Sequence, residues 1–475
     1  MAMTYTEPYT PYAGLIYNEA NQPVKAPSAP HVLLSAPTRT GKTRRILAPA
    51  AVMHPGPAVL CSSKPDLAKL VLQRRCAGVT GVIDLRPEQT RVWPQDVRRW
   101  VTDPTKSITD ADEALTVAEV MLATSGVGFG GAASGSTVAA GGLWESQASR
   151  PLACLLYAAS PLGNGQGMPW VLQAVEDFGT DNESEQEDGG GAGEIGRPSW
   201  LTAYALCPVP ELAQPLYGVL VLDGRLRDSV KITVTKAVTP WVRLGLSARK
   251  NAAKLDAVDR LSIDSFDVKF LDEPDATLFV IAPNTGTVAG VAVALIDSII
   301  RHFRDKEAND ELHHRLLLEL DEVCNSCPLP ELLTYVGESA GLGVNLMATV
   351  QSSEHFKVVY GANYADALRD MFPATLIMYG SHERHLLEQA SHWLGETTRR
   401  TESYGPQTGH RNLSSNFGQM IGWQELLPQS REEAQLLQRG TAGTRVLIPE
   451  WTEWLQIYDE ALQRRLERRQ AGAWS

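Results

Sequence analysis

The sequence contains few cysteines, no long apolar run and no excess of basic residues, and each shortage excludes a class of protein. Six cysteines in 475 residues indicate a reducing compartment rather than a disulfide-stabilised protein. No apolar run approaches the ~18–20 residues that span a bilayer. The first residues, MAMTYTEPYTPYAGLIY, lack the charged-then-apolar layout of a signal peptide. We therefore expect a cytoplasmic protein.

The charge balance is acidic, with 43 Lys and Arg against 55 Asp and Glu and a net charge of −12. A protein that binds DNA in a groove usually carries a basic excess. Any DNA contact must therefore be local, for example through a basic ring that lines a pore. The alternative is that the protein binds no nucleic acid, and composition alone slightly favours this alternative.

The strongest functional motif is a short loop that follows the apolar run Val32-Leu33-Leu34. Residues 36–43 read APTRTGKT and precede a predicted helix. In a phosphate-binding P-loop, backbone N–H groups and the positive end of such a helix face the phosphates. The lysine adds a positive charge for the β and γ phosphates, and the hydroxyl of Thr43 can complete the shell of a Mg²⁺ ion. The usual first glycine is replaced by Ala36. The candidate nucleotide-binding residues are Thr38, Arg39, Thr40, Gly41, Lys42 and Thr43.

Two carboxylates follow a second apolar strand, predicted at Leu316–Leu320. A strand tip beside a P-loop is where nucleotide chemistry needs acidic groups. Asp321 can hold Mg²⁺ through the water shell of the ion, and Glu322 can orient or deprotonate an attacking water. Gln351 ends the next predicted strand and is a candidate sensor of the γ-phosphate. The alternative for the acidic pair is a solvated turn.

Strands alternate with helices on both sides of a long helical stretch, which predicts an α/β fold with a mainly parallel sheet. The helical stretch predicts an inserted domain, and an acidic, then glycine-rich segment within it predicts a disordered insert. The predicted parts are an irregular N-terminal arm (1–30), a nucleotide-binding domain (31–102 and 270–450), the mainly helical domain (103–269) with its disordered insert (177–196), and a charged C-terminal helix (451–475).

Taken in order along the chain, these motifs resemble those of the type IV secretion coupling proteins, the TraG/TraD-like P-loop ATPases of conjugative DNA transfer. The resemblance runs over most of residues 31–450. Its motifs are APTRTGKT at 36–43, SSKPDL at 62–67, LWESQA at 143–148, LDE at 320–322, VQS at 350–352, YG at 360–361 with Ala365, and the segment 391–395.

The resemblance implies a RecA-like core with an all-α domain, assembled as a hexameric ring. It implies ATP and Mg²⁺ as cofactors, with Lys42 and Thr43 on nucleotide and metal. Asp321 and Glu322 would be the acidic pair, with Asp321 a second Mg²⁺ ligand. Glu322, Lys42 and Gln351 would be the catalytic residues.

Two departures from the family pattern change what is expected. Members often carry two N-terminal membrane helices, but a P-loop that begins at Ala36 leaves no room for them. We therefore expect either a soluble variant or a protein that reaches the inner face of the membrane through a partner. Members often carry an arginine that acts across the subunit boundary, where this chain has Glu338. Arg369 and Arg384 are the candidate replacements.

The leading hypothesis is an ATP-hydrolysing DNA translocase that delivers DNA or nucleoprotein to a type IV secretion or conjugation apparatus. Its partners would be DNA bound without sequence preference, a relaxase or other secretion substrate, and a secretion-channel or membrane-anchoring protein. One alternative is a nucleotide-switched adaptor that recruits cargo without translocation. Another is a motor of a different DNA process, such as plasmid or phage DNA packaging.

Overall fold

The computed structural model describes most of the chain, and the account below concerns those residues only. They are residues 9–75, 78–87, 93–125, 143–179, 197–252, 264–283, 288–381, 383–404, 411–441 and 443–472. The predicted disordered insert therefore lies almost wholly outside the described residues, since only its first three residues are included.

Within these residues, thirteen strands form one sheet and two more form a separate hairpin. The strands are β1 (Leu15–Tyr17), β2 (Pro23–Lys25), β3 (His31–Ser35), β4 (Ala58–Ser62), β5 (Thr80–Asp84), β6 (Val97–Val101), β7 (Asp264–Ser265), β8 (Thr277–Ile281), β9 (Leu316–Leu320), β10 (Val344–Val350), β11 (Ala374–Met378), β12 (Glu396–Tyr404), β13 (Arg411–Gln419), β14 (Glu433–Gln438) and β15 (Thr444–Leu447).

The large sheet has the order β2-β1-β15-β14-β11-β3-β10-β9-β4-β8-β5-β6-β7. From β11 to β7 every neighbouring pair is parallel. Strands β3, β4, β8, β9, β10 and β11 are buried along their whole length, as expected for a parallel sheet covered on both faces. The predicted α/β class with a mainly parallel central sheet is confirmed.

The other edge of the sheet is antiparallel and corrects the prediction of an irregular N-terminal arm. β1 pairs with β2 and with β15, and β14 joins β15 to β11. The arm is anchored because Tyr12 is fully buried and its ring meets that of Trp454 edge-on at 6.2 Å. Residues 15–25 of the arm therefore extend the sheet rather than leading irregularly into it.

The helices between β6 and β7 make up most of the predicted inserted part, and whether it is a separate domain stays a prediction. The α-helices of the whole described chain are Ala48–Met53, Asp66–Val71, Ala111–Ala123, Leu143–Ala159, Met168–Ala174, Trp200–Leu206, Pro210–Leu220, Gly224–Ala252, Ala289–Ala308, Val323–Ser326, Leu332–Glu338, His355–Tyr360, Ala362–Met371, Arg384–Trp393 and Trp451–Gly472. None of the helices described is both long and apolar enough to cross a bilayer.

The side chains of β9 point alternately into two apolar clusters, one on each face of the sheet. Leu316, Leu318 and Leu320 pack in one apolar cluster, while Leu317 packs in the other, as the two-residue period of a strand requires. Glu319 points to the same face as Leu317 and is fully buried. Burial raises the pKa of its carboxyl well above the ordinary value, because the low-dielectric interior disfavours the charged form.

Candidate active site

The P-loop begins where β3 ends, and β10 holds its first residue. The N–H of Ala36 donates to the carbonyl oxygen of Val350 at 3.0 Å, which continues the parallel pairing of the two strands. Within the loop, the Thr40 hydroxyl donates to the carbonyl oxygen of Pro37 at 2.8 Å. Ala36 is fully buried, so a small residue suffices at the position usually occupied by glycine.

Two residues of the loop have left-handed backbone conformations. Gly41 has φ of +92° and Arg39 has φ of +65°. The conformation of Gly41 needs glycine, since a Cβ there would be strained and would lie 3.0 Å from the Arg45 side chain. Arg39 adopts φ > 0 without being glycine, a kind of strain that clusters at ligand-binding sites.

The helix after the loop starts with a wider turn than predicted. Thr43–Leu47 is a π-helical turn that runs into the α-helix Ala48–Met53. The N–H of Arg45 donates to the carbonyl oxygen of Gly41 at 2.8 Å, which fixes the start of the helix on the loop. Single π-turns occur often at functional sites.

The lysine of the loop lies between the two predicted carboxylates. Its Nζ atom is 3.4 Å from Oδ1 of Asp321 and 3.3 Å from Oε1 of Glu322. The Lys42 side chain is only 11% exposed, so these charges interact in a partly desolvated environment. The structure thus brings together residues that lie about 280 positions apart in the chain.

The P-loop strand and the acidic strand are not direct neighbours, because β10 lies between them. β10 and β4 flank β9, and each supplies one hydroxyl to Asp321. Thr349 donates to Oδ1 and Ser62 donates to Oδ2, both at 3.0 Å. Each oxygen of this carboxylate is therefore oriented by a strand end.

Glu322 has an unusual backbone, with φ of 55° and ψ of 55°. Its N–H donates to the hydroxyl of Thr349 at 2.9 Å, which holds this conformation. The side-chain amide of Gln351 donates to its Oε1 at 3.2 Å. Thr349 consequently orients both acids, and Gln351 contacts the one predicted to activate water.

The sequence does not predict that the hydroxyls of Ser62 and Thr349 belong to the site. Their signal is weak, because a single hydroxyl residue in or at the end of a buried strand is common. Only the strand order, which places β4 and β10 beside β9, shows that these hydroxyls meet the same carboxylate.

The two candidate replacements for an in-trans arginine differ in their surroundings. The Arg369 side chain is 7% exposed and is held by Glu354 at 2.7 Å and by Asp366 within its own chain. Arg384 is 69% exposed and pairs with Glu388 of the same helix at 2.7 Å. The source of such an arginine stays a prediction, and Arg384 has the more accessible position.

Glu338 is the residue at which the resemblance to coupling proteins would place that arginine. It receives a charge-assisted hydrogen bond from Nε of Arg304 at 2.8 Å. The guanidinium of Arg304 also lies 5.4 Å from the centre of the Tyr335 ring. Glu338 is thus engaged inside its own chain.

The oxygen donors at this edge of the sheet suit a magnesium ion and a nucleotide. Mg²⁺ prefers oxygen ligands and is often held by one or two carboxylates together with substrate phosphates. Asp321 offers such a carboxylate, already oriented by two hydroxyls, and Thr43 directly follows the loop lysine. The charge of Lys42 and the loop N–H groups complement phosphate, so the residues fit both groups.

Comparison with known proteins yields one family match and several structural likenesses. Residues 315–432 match the family model described as the TraM recognition site of TraD and TraG. The match covers β9, Asp321, Glu322, β10 and Gln351, and over this segment it agrees with the resemblance to coupling proteins seen in the sequence motifs. No curated protein matches the chain.

The solved structures that resemble the chain include a bacterial conjugative coupling protein, TrwBdeltaN70. It shares 16% identity with a TM-score of 0.53, over 92% of this chain and 88% of that one. TrwB with the GTP analogue GDPNP has 16% identity and a TM-score of 0.51, over 88% and 85%. TrwB with ADP and Mg²⁺ has the same identity and TM-score, over 89% and 85%. At this identity the likeness establishes a RecA-like P-loop fold.

Proposed function

We propose that this protein is an ATP-hydrolysing coupling protein that moves DNA or nucleoprotein toward a type IV secretion or conjugation apparatus. The observation that carries the proposal is the position of Lys42, which joins the P-loop to Asp321 and Glu322 at distances of 3.4 and 3.3 Å. A Gly-Lys-Thr turn with no role in nucleotide binding would not be expected to lie against two carboxylates at the end of a strand.

In this proposal each residue of the site has one task in hydrolysis. The N–H groups of residues 38–43 and the Lys42 ammonium bind the phosphates. Thr43 and Asp321 are proposed to hold Mg²⁺, which when bound neutralises phosphate charge. Glu322 accepts a proton from the attacking water, and Gln351, which already contacts Glu322, senses the γ-phosphate.

The proposed substrate and assembly are supported by the fold and the family match. A RecA-like fold shared with a conjugative coupling protein, together with a TraD and TraG segment, supports coupling to DNA transfer. We propose a ring of identical subunits in which nucleotide sites lie near the boundaries, with a partner protein at the membrane. Sequence-independent contacts to the DNA backbone would suit a motor.

A second candidate is a nucleotide-switched adaptor that recruits cargo without translocation. The observation in its favour is Glu338, which replaces the in-trans arginine and is bound to Arg304 of its own chain. Without an arginine from a neighbour, hydrolysis would be slow, since such arginines contribute about 10³–10⁵ in kcat in related phosphoryl transfer.

The test is steady-state ATP hydrolysis with and without single- and double-stranded DNA, with molecular mass measured on the same samples. The motor proposal predicts hydrolysis that DNA stimulates several-fold, in a larger assembly, and that Lys42→Ala abolishes. Hydrolysis that is absent or indifferent to DNA, in a monomer, would contradict the motor and favour the adaptor.

A further inference from the structure

A buried carboxylate outside the proposed catalytic residues connects the P-loop strand to the segment that follows Gln351. Glu383 is 5% exposed. Its Oε1 accepts hydrogen bonds from the Ser35 hydroxyl at 2.6 Å and from the Ser353 N–H at 2.7 Å. Its Oε2 accepts from the Ser353 hydroxyl at 2.6 Å. The Ser35 hydroxyl also lies 2.7 Å from that of Ser381.

The positions of these serines show which parts of the site the hydrogen-bond network connects. Ser35 is the last residue of β3 and directly precedes the P-loop. Ser353 lies two residues after Gln351, beyond the end of β10. Ser381 lies just beyond the end of β11, and Glu383 itself precedes the helix Arg384–Trp393. One carboxylate therefore fixes the relative position of three neighbouring strand ends.

We infer that Glu383 is a positioning residue for hydrolysis. It fixes the position of Gln351 relative to the P-loop. This inference rests on the proposed ATPase function. A buried carboxylate that accepts three short hydrogen bonds orients its donors more strongly than a neutral acceptor does. Gln351 contacts the nucleophile-activating Glu322 at 3.2 Å, so a shift of its strand end changes that contact directly.

The inference predicts that Glu383 acts on the chemical step more than on nucleotide binding. Phosphate binding depends on the P-loop N–H groups and Lys42, which Glu383 does not touch. The chemical step depends on exact placement of the catalytic groups, where a displacement of about 1 Å can cost about 10²-fold in rate. A general role in folding would instead lower the amount of folded protein and leave the kcat of the remainder unchanged.

Two variants and one control test this role. Glu383→Gln keeps the side-chain shape but replaces one acceptor oxygen with a donor. Ser353→Ala removes a single donor to the same carboxylate and is the milder change should the first variant fold poorly. Glu396→Gln makes the same chemical change at an exposed position and is the matched control. The kcat and KM for ATP, the affinity for a fluorescent ATP analogue and the thermal unfolding midpoint are measured for each.

We expect both network variants to lower kcat by about tenfold or more, with analogue affinity within about threefold of the wild type. The Glu396→Gln control should match the wild type. Unchanged kcat in the folded variants, or equal losses of kcat and analogue affinity, would overturn the inference while leaving the proposed ATPase intact. If the wild type shows no hydrolysis that depends on Lys42, the proposed function fails and the inference fails with it.

Discussion

Replacing Thr349 by valine tests whether one hydroxyl orients both acids of the site. The substitution keeps the size of a fully buried side chain and removes only its hydrogen bonds. The hydroxyl donates to Asp321 at 3.0 Å and accepts from the N–H of Glu322 at 2.9 Å. Loss of a bond to a carboxylate costs about 1.5–3 kcal/mol, and an unpaired buried N–H costs about 1–3 kcal/mol. We expect a loss of stability of about 3 kcal/mol and a clear loss of hydrolysis.

The assay for Thr349→Val combines thermal unfolding with ATP hydrolysis. At about 2–4 °C per kcal/mol, the expected fall in unfolding midpoint is about 6–12 °C. Thr375→Val is the matched control, because Thr375 is likewise buried, in strand β11 of the same sheet, and its hydroxyl bonds to no described residue. Equal unfolding temperatures and equal ATP hydrolysis in the two variants would refute the orienting role of Thr349.

Three further predictions concern single residues of the site and the core. Glu322→Gln should bind ATP but accumulate it unhydrolysed, because the amide cannot accept a proton from water; turnover at the wild-type rate would remove Glu322 from its proposed role. Gly41→Ala should weaken ATP binding, since φ of +92° and the 3.0 Å approach to Arg45 disfavour a Cβ; an unchanged dissociation constant would contradict this. Burial lowers the pKa of His54 from 6.5 to about 3, so the unfolded chain takes up a proton as the pH falls below 6.5 while the folded chain stays neutral. The free energy of unfolding should therefore fall by about 1.4 kcal/mol per pH unit between those two pKa values. The variant His54→Asn should show a smaller decline in unfolding midpoint from pH 7 to 5 than the wild type. Equal declines in the two proteins would refute this role of His54.

Buried parallel strands could be predicted from the sequence because they are continuous apolar runs. β9 spans Leu316–Leu320 as predicted, and β10 ends at Val350, directly before Gln351. β6, β14 and the hairpin of β12 and β13 were not predicted. These strands carry many polar residues, for example VRRWV in β6 and ETTRRTESY in β12, so no apolar run distinguishes them from loops.

The chemistry of the site was predictable from local motifs, whereas its supporting contacts were not. The P-loop and the acidic pair are short patterns with a known physical purpose, so Lys42, Asp321 and Glu322 were recognisable one by one. The roles of Thr349 and Glu383 depend on strand order, since β10 lies between β3 and β9. A sequence pattern does not contain that order.

The most direct test of the account is ATP hydrolysis by the wild type, Lys42→Ala and a control lysine variant. Lys42 joins the loop to both acids, whereas Lys269 is exposed and lies outside the site. The proposed function predicts Mg²⁺-dependent hydrolysis by the wild type and by Lys269→Ala, and none above background by Lys42→Ala. Equal hydrolysis by all three proteins, or none by the wild type, would contradict it.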